Sequence, residues 1–311
     1  MKVKISVVTT MFYSSEFVCQ FYDRVVKAVE TITKDFEIIF VNDGSPDNSL
    51  PLAMGLREKD NRIKVINLSK NFGHHQAILT GLKYAKGDHI FLIDLDLEES
   101  PDLFKLFWKK MKLDNSIDVV YGVQTKRKGK LFERLSGYLF YKITNFFSDL
   151  KYPKDTTTAR IMSREYVESV LMFDEKELDL WTIFILAGYN QVPVKVSKNS
   201  KGETTYTLIQ KIKIGLNTIT STTSKPLYYV FLLGINMTFF SVLFIIYLLI
   251  KKIIFLDVII EGWTSLIISV WFIGGVVTSS IGIVGIYLSK VFKEIKNRPR
   301  TIIKEIYDEE Q

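Results

Sequence analysis

The stretch His89-Ile90-Phe91-Leu92-Ile93-Asp94-Leu95-Asp96-Leu97-Glu98-Glu99-Ser100-Pro101 passes from an apolar run straight into carboxylates. An almost wholly apolar run of that length reads as a strand buried on both faces, the kind found in a parallel sheet. Asp94, Asp96 and Glu98 then follow at alternate positions. In an open α/β sheet, ligands collect outside the carboxyl ends of the strands. Acids gathered there repel one another unless a cation sits between them. Hard oxygen ligands suit Mg²⁺ or Mn²⁺, above all when the metal also holds a substrate diphosphate. The plainer alternative is a helix start, with Ser100-Pro101-Asp102 opening the next helix. It accounts for Ser100 and Asp102 but leaves Asp94 and Asp96 unexplained.

Upstream, Lys2 to Thr10 reads as a first strand, and Glu16 to Thr33 as a helix with Phe17, Phe21, Val25, Val29 and Ile32 near a 3.6-residue spacing. Phe36 to Val41 reads as a second strand ending in Asn42-Asp43-Gly44-Ser45-Pro46-Asp47. Gly44 permits the tight turn there, and Ser45 or Asp47 can cap the next helix. Asp43 is left at a strand tip, where a carboxylate can accept from a base N–H or a ribose hydroxyl. Ile63 to Leu68 is a third strand, and Asn71-Phe72-Gly73-His74-His75 opens a helix to about Ala85. This alternation predicts a doubly wound parallel sheet. No Gly-x-Gly-x-x-Gly and no Walker lysine occurs, which excludes a dinucleotide dehydrogenase and a P-loop ATPase. With three histidines in the chain and one cysteine, Cys19, His74 and His75 read as loop residues near a nucleotide and not as a zinc site.

Ile117 to Gly122 is a further strand, followed by a basic loop from Gln124 to Lys130 and an amphipathic helix carrying Leu131, Leu135, Tyr138, Leu139, Ile143, Phe146 and Phe147. That helix suits either a core or a bilayer face. Arg160 can meet a phosphate or pair with a surface acid. Beyond a basic loop from Lys198 to Tyr206 the composition changes. Tyr228 to Ile250 is uncharged and long enough, at about 34 Å of helix, to span a hydrocarbon core of about 30 Å. Thr264 to Ser289 is a second such run, with Gly274-Gly275 and Gly282-x-x-Gly285 as points of close helix packing. The net charge of +7 concentrates around these runs, which favours a membrane surface over nucleic acid. Lys211, Lys213 and Lys225 before the first run, and Lys290 to Arg300 after the second, predict both ends in the cytosol. The opening residues read as a strand and not as a signal peptide, which predicts a cytosolic catalytic part; a single cysteine, Cys19, excludes an internal disulfide framework.

Taken together, residues 36–47, 68–88, 91–102, 118–124, 131–145 and the two apolar runs ending at 294–300 resemble the membrane-anchored family-2 glycosyltransferases of the polyprenyl-phosphate type. That group includes dolichyl-phosphate mannose synthases and bactoprenol glucosyltransferases. The resemblance implies a GT-A (Rossmann-like) α/β domain over 1–207, a juxtamembrane amphipathic segment over 208–227, two transmembrane helices within 228–289 and a basic cytosolic tail over 290–311. It also implies a bacterial cytoplasmic-membrane enzyme with a nucleoside-diphosphate sugar as donor, polyprenyl phosphate as acceptor, Mg²⁺ or Mn²⁺ as cofactor and a homo-oligomeric, tetrameric assembly. Carried over by residue, it assigns the nucleotide-sugar to Thr10, Phe12, Asp43, Lys70 and Asp94, and the metal to Asp96 and Glu98. The acceptor phosphate falls to Lys126, Arg127, Arg134, Arg160 and Lys201, and the catalytic set is Asp94, Asp96 and Arg160.

The sequence departs from that pattern where sugar and acceptor would lie. Thr10 and Tyr13 replace a Pro and an Asn after the first strand, Gln124 replaces an Arg, and Thr205 replaces a Lys. Thr158 stands where relatives carry an acid sometimes assigned as a base. A phosphate acceptor tolerates this loss, because its oxygen is already ionised at neutral pH. Transfer to a hydroxyl of a lipid-linked sugar would need a base, with Asp155 the nearest acid. A scaffold that keeps the fold without catalysis has no use for Asp94, Asp96 and Glu98 together.

Overall fold

The computed structural model describes residues 4–124, 153, 155–174, 180–197, 220, 223–254 and 262–308. The chain divides into two compact units. The first combines Met1–Tyr141 and Leu150–Thr207 with Arg298–Gln311; the second joins Lys142–Asp149 to Leu208–Asn297.

The first unit is built on one eight-stranded sheet. Its strands are β1 (Ile5–Met11), β2 (Phe36–Asn42), β3 (Ile63–Leu68), β4 (His89–Leu92), β5 (Val119–Gln124), β6 (Thr156–Ser163), β7 (Gln191–Val196) and β8 (Ile303–Tyr307). Between them run α1 (Val18–Val29), α2 (Ser49–Arg57), α3 (His74–Tyr84), α4 (Leu103–Met111), α5 (Arg164–Leu171) and α6 (Leu180–Leu186). Successive residues of the central strands enter opposite layers, as a period of two requires. Val7, Ile38 and Phe40 pack with Phe21, Phe91 and Phe104 on one face, while Val8, Ile39 and Val41 pack with Leu82, Ile90 and Tyr166 on the other. Each such fully buried side chain contributes about 1.5–3 kcal/mol. That is why the central strands read as unbroken apolar runs.

The strand order is β7-β5-β6-β4-β1-β2-β3-β8. β1 pairs in parallel with both β2 and β4, so the order of connection reverses between β1 and β4. A crevice opens at such a switch point, outside the carboxyl ends of the strands. The expected all-parallel sheet is corrected at two places, because β6 runs antiparallel between β4 and β5, and β8 runs antiparallel to β3. Strand–helix alternation reports only local connections. The direction of β6 is set by partners far away in sequence, such as Ile161 opposite Phe91. β8 lies within the stretch read as a basic tail. Its residues pair with β3, and Asp308 just beyond sits 2.9 Å from the buried ammonium of Lys64.

Gly44, just past β2, has φ +63°, and a Cβ there would run into the backbone of Lys70 and Asn71. Gly44→Ala is therefore expected to destabilise the first unit by at least about 1–3 kcal/mol, the cost of a strained backbone alone. Denaturant unfolding measures it, and an unchanged midpoint would contradict this packing.

The second unit contains α7 (Lys225–Ile254) and α8 (Trp263–Ile295), which enclose the two apolar runs expected at 228–250 and 264–289. Within α8, Phe272–Ile295 is long and apolar enough to cross a membrane, at 24 residues or about 36 Å. Its large side chains are exposed, Ile281 at 66% and Ile295 at 77%, an apolar surface of the kind that marks a membrane or protein contact. Among the described residues this is the helix that meets the requirement. Residues 208–219 of the expected juxtamembrane segment and the helix read from Leu131 lie outside the described residues.

Candidate active site

Three strand ends meet at the switch point. Thr10 lies near the end of β1, Asp43 follows β2 directly, and Asp94 lies two residues beyond β4. Asp43 is buried, and its two oxygens accept from the Phe72 N–H at 2.7 Å and the Gly73 N–H at 3.0 Å. Burial raises its pKa, and those two donors pull the other way without cancelling the rise. Asp43 thus fixes the loop that leads into α3, with Gly73 supplying the φ of +99° that the turn needs.

His74, the first residue of α3, spans the other two strand tips. Its Nδ1 is 3.0 Å from Thr10 Oγ1 and its Nε2 is 3.3 Å from Asp94 Oδ1. A ring protonated on Nε2 donates to the carboxylate and accepts from the threonine hydroxyl. Burial lowers the His74 pKa, but the hydrogen bond to Asp94 and the charges of Asp94, Asp43 and Asp96 outweigh it, so the net shift is upward. The sequence placed His74 near a nucleotide, yet its bridge between Thr10 and Asp94 joins residues 64 positions apart and had no local signal.

The acids follow the strand end, as expected, but on a turn. β4 ends at Leu92, and Leu97 adopts a left-handed φ of 57°. The Glu98 N–H donates to Asp96 Oδ1 at 3.0 Å, which closes a tight turn. Among the described residues, no three His, Cys, Asp or Glu side chains gather into a metal cage. Asp94 and Asp96 nonetheless offer half-buried carboxylates at the crevice. Mg²⁺ is commonly held by one or two carboxylates with substrate phosphates completing its shell, and this donor set fits that arrangement.

Glu99 turns inward and is fully buried. Its carboxylate accepts from the N–H groups of Thr158 at 3.3 Å and Ala159 at 2.6 Å on β6. Arg160, next along β6, is 3% exposed and packs its guanidinium 3.8 Å over the Phe184 ring and 4.7 Å from the Trp181 ring. Burial pulls its pKa down to about 10, opposed by Tyr166, Glu99, Tyr121 and Asp94, so it stays a cation at neutral pH. Arg160 is therefore not a surface residue. Sequence reading found Arg160 but not Glu99, Trp181 or Phe184, whose partners lie on other elements.

Toward the mouth, Phe12 and Tyr13 are exposed and meet edge to face at 4.7 Å. Tyr13 has a left-handed φ of 52°, and its N–H donates to Ser45 Oγ at 2.8 Å. Asp47 anchors this loop pair by accepting from Ser15 N–H, Ser45 Oγ–H and Ser49 N–H. Burial would raise Asp47, but the hydroxyls of Ser45 and Ser49 and these N–H groups hold it well below the usual carboxylate range. Lys70 is exposed, with its ammonium 5.2 Å over the Phe72 ring. Lys126, Arg127, Arg134 and Lys201 lie outside the described residues.

Residues 6–171 match the family described as glycosyl transferase family 2. The chain belongs to that family. It is a glycosyltransferase, and its mixed sheet with the reversal at β1 is the family's GT-A fold. A protein of Mycobacterium tuberculosis (strain CDC 1551 / Oshkosh), named among glycosyltransferases, is 42% identical over 98% of this chain and 89% of its own length. An uncharacterized glycosyltransferase of Bacillus subtilis (strain 168), YkcC, is 32% identical over 98% of this chain and 94% of its own. The SfII prophage-derived bactoprenol glucosyl transferase of Shigella flexneri is 29% identical, covering 97% of this chain and 98% of that protein. The family match contains Asp43, Asp94, Asp96, Glu98, Glu99 and Arg160, whereas Trp181 and Phe184 fall beyond it.

Proposed function

We propose that this glycosyltransferase moves a sugar from a nucleoside-diphosphate sugar to a polyprenyl phosphate at the cytosolic face of a bacterial membrane, with inversion at the anomeric carbon. The observation that carries the reading is the pairing of a buried cation, Arg160, with a buried Thr158 where a base would otherwise stand. A phosphate acceptor needs charge neutralisation and no deprotonation. Two further facts support it. A relative aligned along nearly the whole chain is named a bactoprenol glucosyl transferase, and α8 contains an exposed apolar segment of spanning length.

The chemistry balances without a proton transfer. The acceptor phosphate oxygen attacks the anomeric carbon, that C–O bond forms, and the bond to the donor's diphosphate breaks with its electron pair leaving on the diphosphate. Asp94 and Asp96 would hold Mg²⁺ or Mn²⁺, which supplies neutralisation of the leaving diphosphate when bound. Thr10 and His74 orient Asp94, and Asp43 holds the Phe72–Gly73 loop beside it. The exposed Phe12–Tyr13 pair offers a flat apolar face for a nucleobase. Arg160 meets the acceptor's phosphate, its donors held in a fixed fork by the rings beneath.

Membranes containing the protein, given a panel of radiolabelled nucleotide-sugars with polyprenyl phosphate, are expected to form a labelled lipid that mild acid cleaves. An acid-stable product together with an inactive Asp155→Asn would instead assign transfer to a hydroxyl. Both α7 and α8 span the bilayer in this reading, with the termini in the cytosol. In a chain lacking Cys19, a reagent outside intact cells should label Glu261→Cys and spare Glu309→Cys; the reverse pattern overturns the hairpin.

A further inference from the structure

One loop carries both the diphosphate acids and the clamp on the strand opposite. Asp94 and Asp96 lead directly to Glu99, whose carboxylate holds the backbone of Thr158 and Ala159, the two residues before Arg160. A buried carboxylate is costly unless hydrogen-bonded, and Glu99 meets that need with main-chain donors of β6. Its placement therefore also sets the placement of β6 at this point. Arg160 is less well served. Among the described residues its nitrogens reach Thr158 O at 3.4 Å and Thr157 O at 3.5 Å, the long limit for a hydrogen bond, and it forms no ion pair there. A guanidinium carries five N–H donors, so this one is held by aromatic faces and by the position of its strand, with capacity left for an anion.

We propose that Glu99 is a positioning residue for Arg160. By clamping β6 it aims the guanidinium toward the crevice. The loop that binds the donor diphosphate is then mechanically joined to the cation that receives the acceptor. This rests on the reading that Arg160 meets the acceptor phosphate. A peg that merely stabilises β6 would also explain the hydrogen bonds, and only kinetics with both substrates separates the two roles.

The experiment uses the full-length enzyme, with kcat and KM for polyprenyl phosphate measured beside the Kd of the product nucleoside diphosphate. A glutamine side chain presents one acceptor oxygen and one NH2 group to a pair of N–H donors, so Glu99→Gln breaks half of the clamp. It is expected to lower kcat/KM for the lipid phosphate by about tenfold or more, while the nucleotide Kd stays within about twofold. Glu99→Asp, which keeps the charge but retracts it, should fall between the two. Adding Glu99→Gln to Arg160→Lys should cost less than about twofold beyond Arg160→Lys alone, since residues acting through one another are not additive. Losses that multiply, or a nucleotide Kd that weakens in parallel with lipid use, would overturn the assignment. If Glu99→Gln lacks a cooperative unfolding transition, the same cycle is read with Glu99→Asp. A wild-type enzyme that forms no glycosyl phosphate overturns the acceptor reading itself, and this inference falls with it. An active wild type with an additive cycle overturns only the role of Glu99.

Discussion

Asp96→Asn is expected to lower turnover by at least about a hundredfold, the scale seen when a main electrostatic stabiliser of the transition state is lost. The substitution is informative because it is nearly isosteric. The amide oxygen it introduces can still accept from the Glu98 N–H, so the turn that Asp96 closes should survive and only the charge is removed. The expected loss is in kcat more than in donor KM, because a leaving diphosphate gains charge as its bond breaks. Excess chelator should abolish activity in the same way, and Mg²⁺ or Mn²⁺ should restore it. Full turnover in chelator, or Asp96→Asn within a few-fold of wild type, would remove the metal from the proposed chemistry.

Arg160→Ala is the second large effect. Truncating one partner of a buried charged contact costs about 2–5 kcal/mol, which is roughly thirtyfold to several thousandfold in kcat/KM for the lipid phosphate. Binding of the nucleoside diphosphate should change far less. Arg160→Lys should not rescue fully, because an ammonium cannot stack on Phe184 and Trp181 or present a planar fork. The contrasting variant is Thr158→Ala, expected to stay within about tenfold of wild type, since a hydroxyl there contributes a hydrogen bond of about 0.5–1.5 kcal/mol. The Glu99 clamp holds the backbone N–H of Thr158 and does not depend on its side chain. An inactive Thr158→Ala beside an active Arg160→Ala would reverse the roles assigned to these two neighbours.

Local sequence pattern carried most of the fold's parallel half. The expected strands near Ile5, Phe36, Ile63 and His89 occur within a few residues of their predicted bounds, because each is an apolar run ended by polar residues. The same pattern placed Asp43 and Asp94 at strand ends and the apolar runs in α7 and α8. It did not show the turn beyond β4, where Leu97 takes a left-handed φ of 57° and the Glu98 N–H donates to Asp96.

Sequence alone therefore determined which segments are buried and where carboxylates lie at strand tips, because both follow from composition and spacing within a dozen residues. The family entered as a resemblance spread over several motifs, and the match over residues 6–171 showed it. Only the tertiary structure decided the antiparallel direction of β6 and β8, the bridge of His74 between Thr10 and Asp94, and the grip of Glu99 on the strand that carries Arg160. Each joins groups that are far apart along the chain. A buried polar group takes whichever partner packing brings within hydrogen-bond distance, and the residue's own neighbours in sequence do not encode that partner.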